Sequence, residues 1–361
     1  MRTGILFIGK EFSINDAFCE YVIRETKKKL LSVDSIRYLN EKDKDLFLEI
    51  SSHYERFDNT LVVTSSRSYP TASKIVATLF EDNLVVTEEG LVPSKAIETQ
   101  KNSFLIGDGH HINLIKADPC NKLPAILLRQ EKEAVTFFVF DLSIKQITQK
   151  LSPIASSYGI GYILSELTPG LHQICAYNKK YGDLAMFVQN AKMELPQNLI
   201  VAHNIFEYLI ERLGSLHKTI TFAESCTGGL LASMLTKVAG SSNIFDGSLV
   251  TYSNEIKHKW LGVRKETLET FGAVSEETVE EMLKGALRVA QADYAIAISG
   301  IAGPGGGTPT KPVGTVVVGA RSKERELIRT MHFKGDRNYI QYQAAMYGVK
   351  LLFEIAKEEL F

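Results

Sequence analysis

TITFAESCTGGLLASMLTKV, residues 219–238, contains two periodicities joined by a short polar run. Thr219 to Ala223 alternates in the manner of a strand, Glu224 to Gly229 is small and polar, and from Leu230 the apolar residues recur at helical spacing. A strand that turns sharply into a helix is the unit of an α/β sheet. The turn places a hydroxyl at the carboxyl end of a strand, beside N–H groups that open a helix and have no partner within it. Ser225 could attack a carbonyl there, with N–H groups of Thr227, Gly228 and Gly229 holding the oxyanion. Taken alone, the stretch is explained as well by Ser225 or Thr227 capping the helix.

Outward from this turn the alternation continues. On the amino side, Asn198 to Leu213 reads as an amphipathic helix. On the carboxyl side, Gly247 to Tyr252 reads as a strand, and Ser253 caps a helix over Asn254 to Leu261. Ser275 caps the next helix, with Glu276 and Glu277 suiting its positive end. Tyr294 to Ser299, Val313 to Ala320 and Glu326 to Phe333 are expected strands, and Asp336 opens a helix ending near Leu360. The N-terminal part repeats the theme, with strands at Gly4 to Gly9, Ser35 to Leu39 and Thr60 to Thr64 and helices at Ile14 to Leu31 and Glu41 to Arg56. The loop after Thr64, Ser65 to Lys74, falls where such sheets bind ligands, but it has neither the glycines for a phosphate nor the acids for a metal. Residues 81–127 are patterned weakly. Val135 to Phe140 and Ser143 to Leu151 are read as a strand and helix closing this domain, and Tyr158 to Lys192 as a small α+β piece. The expected organisation is three α/β or α+β domains, 1–152, 153–197 and 198–361, the first and last three-layered.

The 361 residues exceed one ordinary domain. Hydrophobic content of 45% with 23% charged residues is that of a folded soluble chain, and a net charge of −1 offers no general attraction to nucleic acid or anionic lipid. The cysteines Cys19, Cys120, Cys175 and Cys226 are scattered without metal or disulfide spacing, which fits a reducing cytoplasm. No stretch has the run of about 18 apolar residues that crosses a membrane.

Candidate chemistry gathers in the last third. If the strands ending at Glu224 and Tyr252 are neighbours, Tyr252 and Lys257 come to the edge that carries Ser225. A lysine acts as base only when neutral, and lowering its pKa from about 10.4 to about 7 or 8 costs roughly 3 to 4 kcal/mol of destabilised ammonium. A solvated Lys257 near Glu255 is the plain alternative. The run Ser299-Gly300-Ile301-Ala302-Gly303 with the glycines beyond it can bring backbone N–H groups to a ligand, or be a flexible loop. Thr315 follows in KPVGTV. Arg337 sits at a helix start, where a cation opposes the macrodipole, so it either binds an anion or pairs with Asp336. Together these residues point to hydrolysis of a phosphorylated carbonyl compound.

Six blocks, AESCTGG (223–229), VTYSNEIK (250–257), GAVSEE (272–277), SGIAGPGGG (299–307), KPVGTV (311–316) and GDR (335–337), occur in this order and closely resemble the C-terminal domain of the CinA family, the nicotinamide-nucleotide amidases. The resemblance implies an α/β/α sandwich over 198–361 that converts nicotinamide mononucleotide to nicotinate mononucleotide and ammonia, with Ser225 as nucleophile, Lys257 as base and Tyr252 beside them. It implies that the Ser299 to Gly303 loop, Thr315 and Arg337 grip the nucleotide, Arg337 nearest the phosphate, with no metal required. A homodimer is compatible with this fold. The first half resembles, faintly, the CinA N-terminal domain, which is like molybdenum-cofactor-binding proteins and can hydrolyse ADP-ribose with a divalent metal. GILFIGKEF (4–12) matches its first strand, but Ser65 and Ser66 replace the glycines of its TGGLGPT segment, and Ser73 and Lys74 fall where it has paired aspartates. The usual Pro-Gly turn is also missing from FVFDLS (138–143). This domain is therefore expected to keep its fold without the metal or the pyrophosphatase activity. Two other readings stay open. The chain could be a non-catalytic binding or assembly protein related to competence, or an ADP-ribose pyrophosphatase with an altered site. Cys226 is an alternative nucleophile.

Overall fold

The computed structural model describes residues 2–30, 32–129, 133–179 and 181–361. Contacts divide the chain into two units, 1–133 and 134–361. No helix among the described residues is long and apolar enough to cross a membrane.

The first unit comprises β1 (Thr3–Ile8), α1 (Asp16–Lys27), β2 (Ser35–Leu39), α2 (Leu46–Arg56), β3 (Asn59–Thr64), α3 (Tyr69–Leu79), β4 (Leu84–Thr87), β5 (Gly90–Pro93), β6 (Glu98–Gln100), β7 (Ser103–Ile106) and β8 (His111–Lys116). Its main sheet has the order β2-β1-β3-β8-β7-β6, parallel through β8 and antiparallel beyond. Successive residues of β1 and β3 point to opposite faces. Ile5, Phe7, Leu61 and Val63 share a core with α1, and Leu6, Ile8 and Val62 share one with α2 and α3. The expected end of the first helix at Leu31 lies outside the described residues; α1 closes at Lys27. The segment read as a loop, Ser65 to Lys74, is a loop only to Ser68. Tyr69 and Pro70 start α3, Ser73 is buried on it and Lys74 is exposed, because a proline in the first helical turn supplies a preset φ and gives up no internal hydrogen bond.

The second unit opens with β9 (Ala134–Phe140), α4 (Ile144–Ser157), β10 (Ile160–Thr168), β11 (Leu171–Asn178), α5 (Leu184–Glu194) and β12 (Leu199–Val201), which form an antiparallel sheet β10-β11-β9-β12. The expected boundary at residue 152 is corrected here, since β9 pairs with β11 and β12 and lies in the middle of this sheet. Both of its faces are covered, which explains its unbroken apolar sequence. Phe137 and Val139 pack under α4 and α5, while Phe138 and Phe140 join the core of the following layers. Leu199–Val201, read as part of a helix, is instead the edge strand β12, and the helix begins after the Asn204 cap.

Next come α6 (Ile205–Ser215), β13 (Ile220–Glu224), α7 (Leu230–Thr236), β14 (Ser248–Val250), α8 (Asn254–Ile256), α9 (Lys265–Thr270), α10 (Glu276–Ala290), β15 (Tyr294–Gly300), β16 (Thr315–Arg321), β17 (Glu326–His332), α11 (Arg337–Ile355) and α12 (Lys357–Leu360). They build a sheet β14-β13-β15-β16-β17, parallel across its first three strands and antiparallel across the last two. Phe222, Ile296, Ile298, Val316 and Val318 face α6, α7 and α11, whereas Ala223, Ala295, Ala297 and Val317 face α9 and α10. The result is the expected three-layer α/β/α sandwich. Helix α11 is apolar nearly all round because it is covered by both sheets of this unit. Phe353 stacks on Phe140 with ring centroids 4.4 Å apart, and the Thr168 hydroxyl donates to the Gln343 carbonyl at 3.0 Å.

Candidate active site

Register decides which residues meet at the carboxyl ends of the parallel strands. Glu224 lies opposite Val250 on one side and Ile298 on the other, so Ser225, Thr251 with Tyr252, and Ser299 emerge on one edge. The Ser225 N–H donates to the Ile298 carbonyl at 2.9 Å, and the Thr251 N–H to the Glu224 carbonyl at 2.8 Å. Beyond Ser225 the chain doubles back, the Gly228 N–H reaching the Ser225 carbonyl at 3.0 Å. Gly228 and Gly229 then take φ of 62° and 97°, values that a residue with a Cβ adopts only at a cost.

The fully buried Glu224 carboxylate accepts the N–H groups of Gly229 and Leu231, each at 3.1 Å, and of Ala232 at 2.9 Å. This corrects the expected set of oxyanion donors. Gly228 and Gly229 are already engaged within the turn. The Thr227 N–H has no acceptor among the described residues, and the Cys226 N–H faces its own sulfur. Glu224 itself escaped the sequence reading, although an acid ending the apolar run Thr-Phe-Ala was a usable signal. Glu224→Ala strands three N–H groups in the core and should lower the free energy of unfolding in urea by about 3 kcal/mol.

Lys257 arrives from the other side of the turn. Ser253 caps α8 as expected, its hydroxyl accepting the Ile256 N–H at 3.2 Å. The expected continuous helix then widens into a π-helical turn over Lys257–Leu261. Lys257 is 1% exposed. Its Nζ stands 2.9 Å from Ser225 Oγ, and it donates to the carbonyls of Thr251 at 2.8 Å and Tyr252 at 3.4 Å. Burial lowers its pKa from 10.5 to about 8, a fall only partly opposed by interaction with Cys226. No carboxylate among the described residues pairs with it. The buried Cys226 thiol is pushed up to about 12 by desolvation and stays neutral, which does not suit it as a nucleophile.

The remaining expected site residues divide into two groups. Tyr252 is 61% exposed, and its hydroxyl accepts from Arg337 Nη2 at 2.9 Å, while Arg337 Nη1 donates to the Gly303 carbonyl at 2.5 Å. Arg337 thus links the glycine-rich loop to the strand edge that carries Ser225 and Tyr252. Asp336 instead caps α11, accepting the Tyr339 N–H at 2.9 Å. The other group is engaged internally. The Ser299 hydroxyl donates to the Ala273 carbonyl at 2.6 Å, Gly300 lies against Val316 and Thr315, Ala302 is buried, and Thr315 Oγ1 is 3.2 Å from His332 Nδ1. These residues shape the loop from behind. Two further sets of contacts were not anticipated. Lys311 Nζ donates to the carbonyls of Phe271 at 3.1 Å and Val274 at 2.7 Å, tethering the glycine-rich loop, and Gln341 Nε2 donates to the Cys226 carbonyl at 2.6 Å. Lys311 opens the KPVGTV block but carried no expected role, and no sequence pattern marks Gln341, because both act on backbone carbonyls that are remote in the chain.

Comparison with known proteins bears on the same region. The family described as CinA C-terminal domain matches residues 202–356. Nicotinamide-nucleotide amidohydrolase PncC of Enterobacter agglomerans is 52% identical over 132 residues, 36% of this chain and 80% of that protein. The chain belongs to the CinA family. Over nearly its whole length it is similar to a putative competence-damage inducible protein of Thermoanaerobacter pseudethanolicus, 28% identical over 351 residues, 92% of this chain and 79% of that one. A CinA-like protein of Thermotoga neapolitana is 47% identical over 152 residues, and there the match spans 42% of this chain and only 37% of the relative. Among solved CinA-family structures, the competence/damage inducible protein CihA of Agrobacterium tumefaciens is 40% identical, covering 42% of this chain and 93% of its own, with a TM-score of 0.41.

Proposed function

We propose that the second unit hydrolyses the carboxamide of nicotinamide mononucleotide, giving nicotinate mononucleotide and ammonia. The observation that carries this reading is the 2.9 Å contact between Ser225 Oγ and a desolvated Lys257 amine. A neutral amine has two N–H groups and one lone pair. The carbonyls of Thr251 and Tyr252 take the two N–H groups, which leaves the lone pair for the Ser225 proton. The serine oxygen then bonds to the carboxamide carbon, and the oxyanion is held by the free N–H of Thr227 with that of Cys226. Lys257, now protonated, delivers its proton to the departing nitrogen as the C–N bond breaks. The same amine draws a proton from water to cleave the acyl-enzyme. Arg337 keeps donors beyond those bonded to Gly303 and Tyr252, and these suit the substrate phosphate. The scheme uses no metal. The name of the Enterobacter agglomerans relative supports the choice of substrate. The direct test is release of ammonia when the purified chain meets nicotinamide mononucleotide. Absence of release at pH 8.5, where the amine is neutral, overturns the assignment.

The first unit carries no pyrophosphatase chemistry in this proposal. The serine donors of its Ser65–Ser68 turn already hold internal partners, the Ser66 N–H and hydroxyl both binding the Asp118 carboxylate and Ser68 Oγ donating to the Ile8 carbonyl at 2.6 Å. An anion of the chain itself thus occupies the Ser66 donors, which supports this reading. Incubation with ADP-ribose and Mg²⁺ or Mn²⁺ should yield no AMP, and formation of AMP counts against this assignment.

A further inference from the structure

We infer that Gln341 is a positioning residue that sets the orientation of the Cys226–Thr227 peptide, and through it aims the Thr227 N–H at the reacting oxyanion. The inference rests on the reading of Ser225 as nucleophile. Its starting point is the hydrogen bond from Gly228 to the Ser225 carbonyl, which makes Ser225 to Gly228 a β-turn with Cys226 and Thr227 at its centre. A turn of this kind has two common forms, which differ by a flip of about 180° of the central peptide. Here the central peptide joins Cys226 to Thr227. The flipped form needs a left-handed residue at the third position, which the β-branched Thr227 disfavours and does not adopt, so the turn itself selects the form but leaves the tilt of the central peptide to its surroundings.

That tilt is fixed from outside the turn. Gln341 Nε2 donates to the Cys226 carbonyl at 2.6 Å. In a trans peptide the carbonyl and the following N–H point in opposite directions, so a bond that captures the Cys226 oxygen also directs the Thr227 N–H away from Gln341. The neighbouring N–H groups cannot take over. Gly228 is bonded to the Ser225 carbonyl, Gly229 to the Glu224 carboxylate and Leu230 to the Thr227 carbonyl. The helix that carries Gln341 also carries Arg337, one turn earlier, which is bonded to Tyr252 and to Gly303. A single rigid element therefore sets the peptide that faces the oxyanion and the cation offered to the substrate. Tilting the central peptide weakens one oxyanion donor without disturbing the Ser225–Lys257 contact.

The test compares Gln341→Glu and Gln341→Leu with wild type in the full chain, using nicotinamide mononucleotide and, independently of that substrate, a fluorophosphonate reagent that phosphonylates an activated serine. A carboxylate keeps the shape of the side chain and has no donor, so a role in hydrogen bonding predicts that both variants lose activity alike. The expected result is a fall in kcat of about tenfold in each, less than the loss of a whole donor would cause. KM should stay within about threefold and the pH profile should keep its midpoint, since Lys257 is untouched. Phosphonylation of Ser225, followed by mass, should slow by a similar factor. Full activity in Gln341→Glu, a loss seen only in KM, or an unchanged labelling rate in both variants overturns the inference. Thermal unfolding is followed in parallel. A Gln341→Leu protein that fails to fold leaves the decision to Gln341→Glu. A wild type that is labelled at Ser225 and releases no ammonia defeats the proposed substrate while leaving the role of Gln341 to be decided by the labelling rates.

Discussion

Replacing Ser225 by alanine is expected to lower kcat for ammonia release from nicotinamide mononucleotide by on the order of 10⁴-fold or more, with the protein folded and substrate still bound. The size of the effect follows from the geometry. Without Oγ there is no acyl-enzyme, and Lys257 is left to activate a water that the Ser225–Gly229 turn does not hold. Arg337 and the Thr227 N–H keep their places, so residual catalysis comes from binding and oxyanion stabilisation alone. Loss of one small hydroxyl at a strand end perturbs the sheet little, because Ser225 is held there by its backbone N–H bonded to Ile298. The expected signature is a large fall in kcat with KM and thermal midpoint nearly unchanged. Undiminished release by Ser225→Ala would exclude the serine mechanism outright.

Lys257→Met should have two opposite effects. Activity should fall on the order of 10³-fold or more, since the proposed base is gone and no other side chain among the described residues is bonded to Ser225 Oγ. Stability at neutral pH should rise. In the folded protein the ammonium is disfavoured by burial, and the fall in pKa from 10.5 to about 8 corresponds to about 3 kcal/mol. The sign follows from proton counts. Between the two pKa values the unfolded chain binds the proton and the folded chain does not, so wild-type stability climbs as pH rises from about 8 towards 10.5, and the full penalty stands below about 8. Methionine fills a similar volume without charge. It also forfeits the bonds to the Thr251 and Tyr252 carbonyls, each worth about 1 kcal/mol, so the net gain at pH 7 is about 1 kcal/mol. Urea titrations should show that gain at pH 7 and a deficit by pH 10.5. A stability difference independent of pH over this range contradicts a depressed pKa. The wild-type rate should rise with pH through the same midpoint near 8, where Lys257 becomes the neutral base.

The two effects have one origin. Desolvation that costs the fold free energy at neutral pH is what makes a lysine usable as a base, and function here draws on a locally unfavourable arrangement. Glu224 and Gln341 limit the damage by holding the turn from two directions, one through the N–H groups of Gly229, Leu231 and Ala232 and the other through the Cys226 carbonyl. Stability assays should therefore respond strongly to Glu224, and catalytic assays to Gln341.

Local pattern was enough for much of this molecule. The strand, turn and helix over 219–238, the caps at Ser253, Ser275 and Asp336, and the valine-rich β16 follow from side-chain periodicity and from short-range hydrogen bonds that neighbours in sequence can make. The six blocks between Ala223 and Arg337 carried the family. Other features depended on partners far along the chain. β9 was assigned to the wrong domain because an apolar strand looks the same whichever sheet receives it, and only pairing with β11 and β12 decided the matter. Lys257 near Glu255 could have been a solvated helix residue. Its depressed pKa exists only because β14 lies beside β13 and seals the amine against Ser225. The allocation of N–H groups around the nucleophile was equally hidden, since it depends on where the Glu224 carboxylate and the Gln341 amide end up. Periodicity and caps are properties of adjacent residues and can be read in order. Burial and the competition for backbone hydrogen bonds arise between residues that only the folded chain brings together.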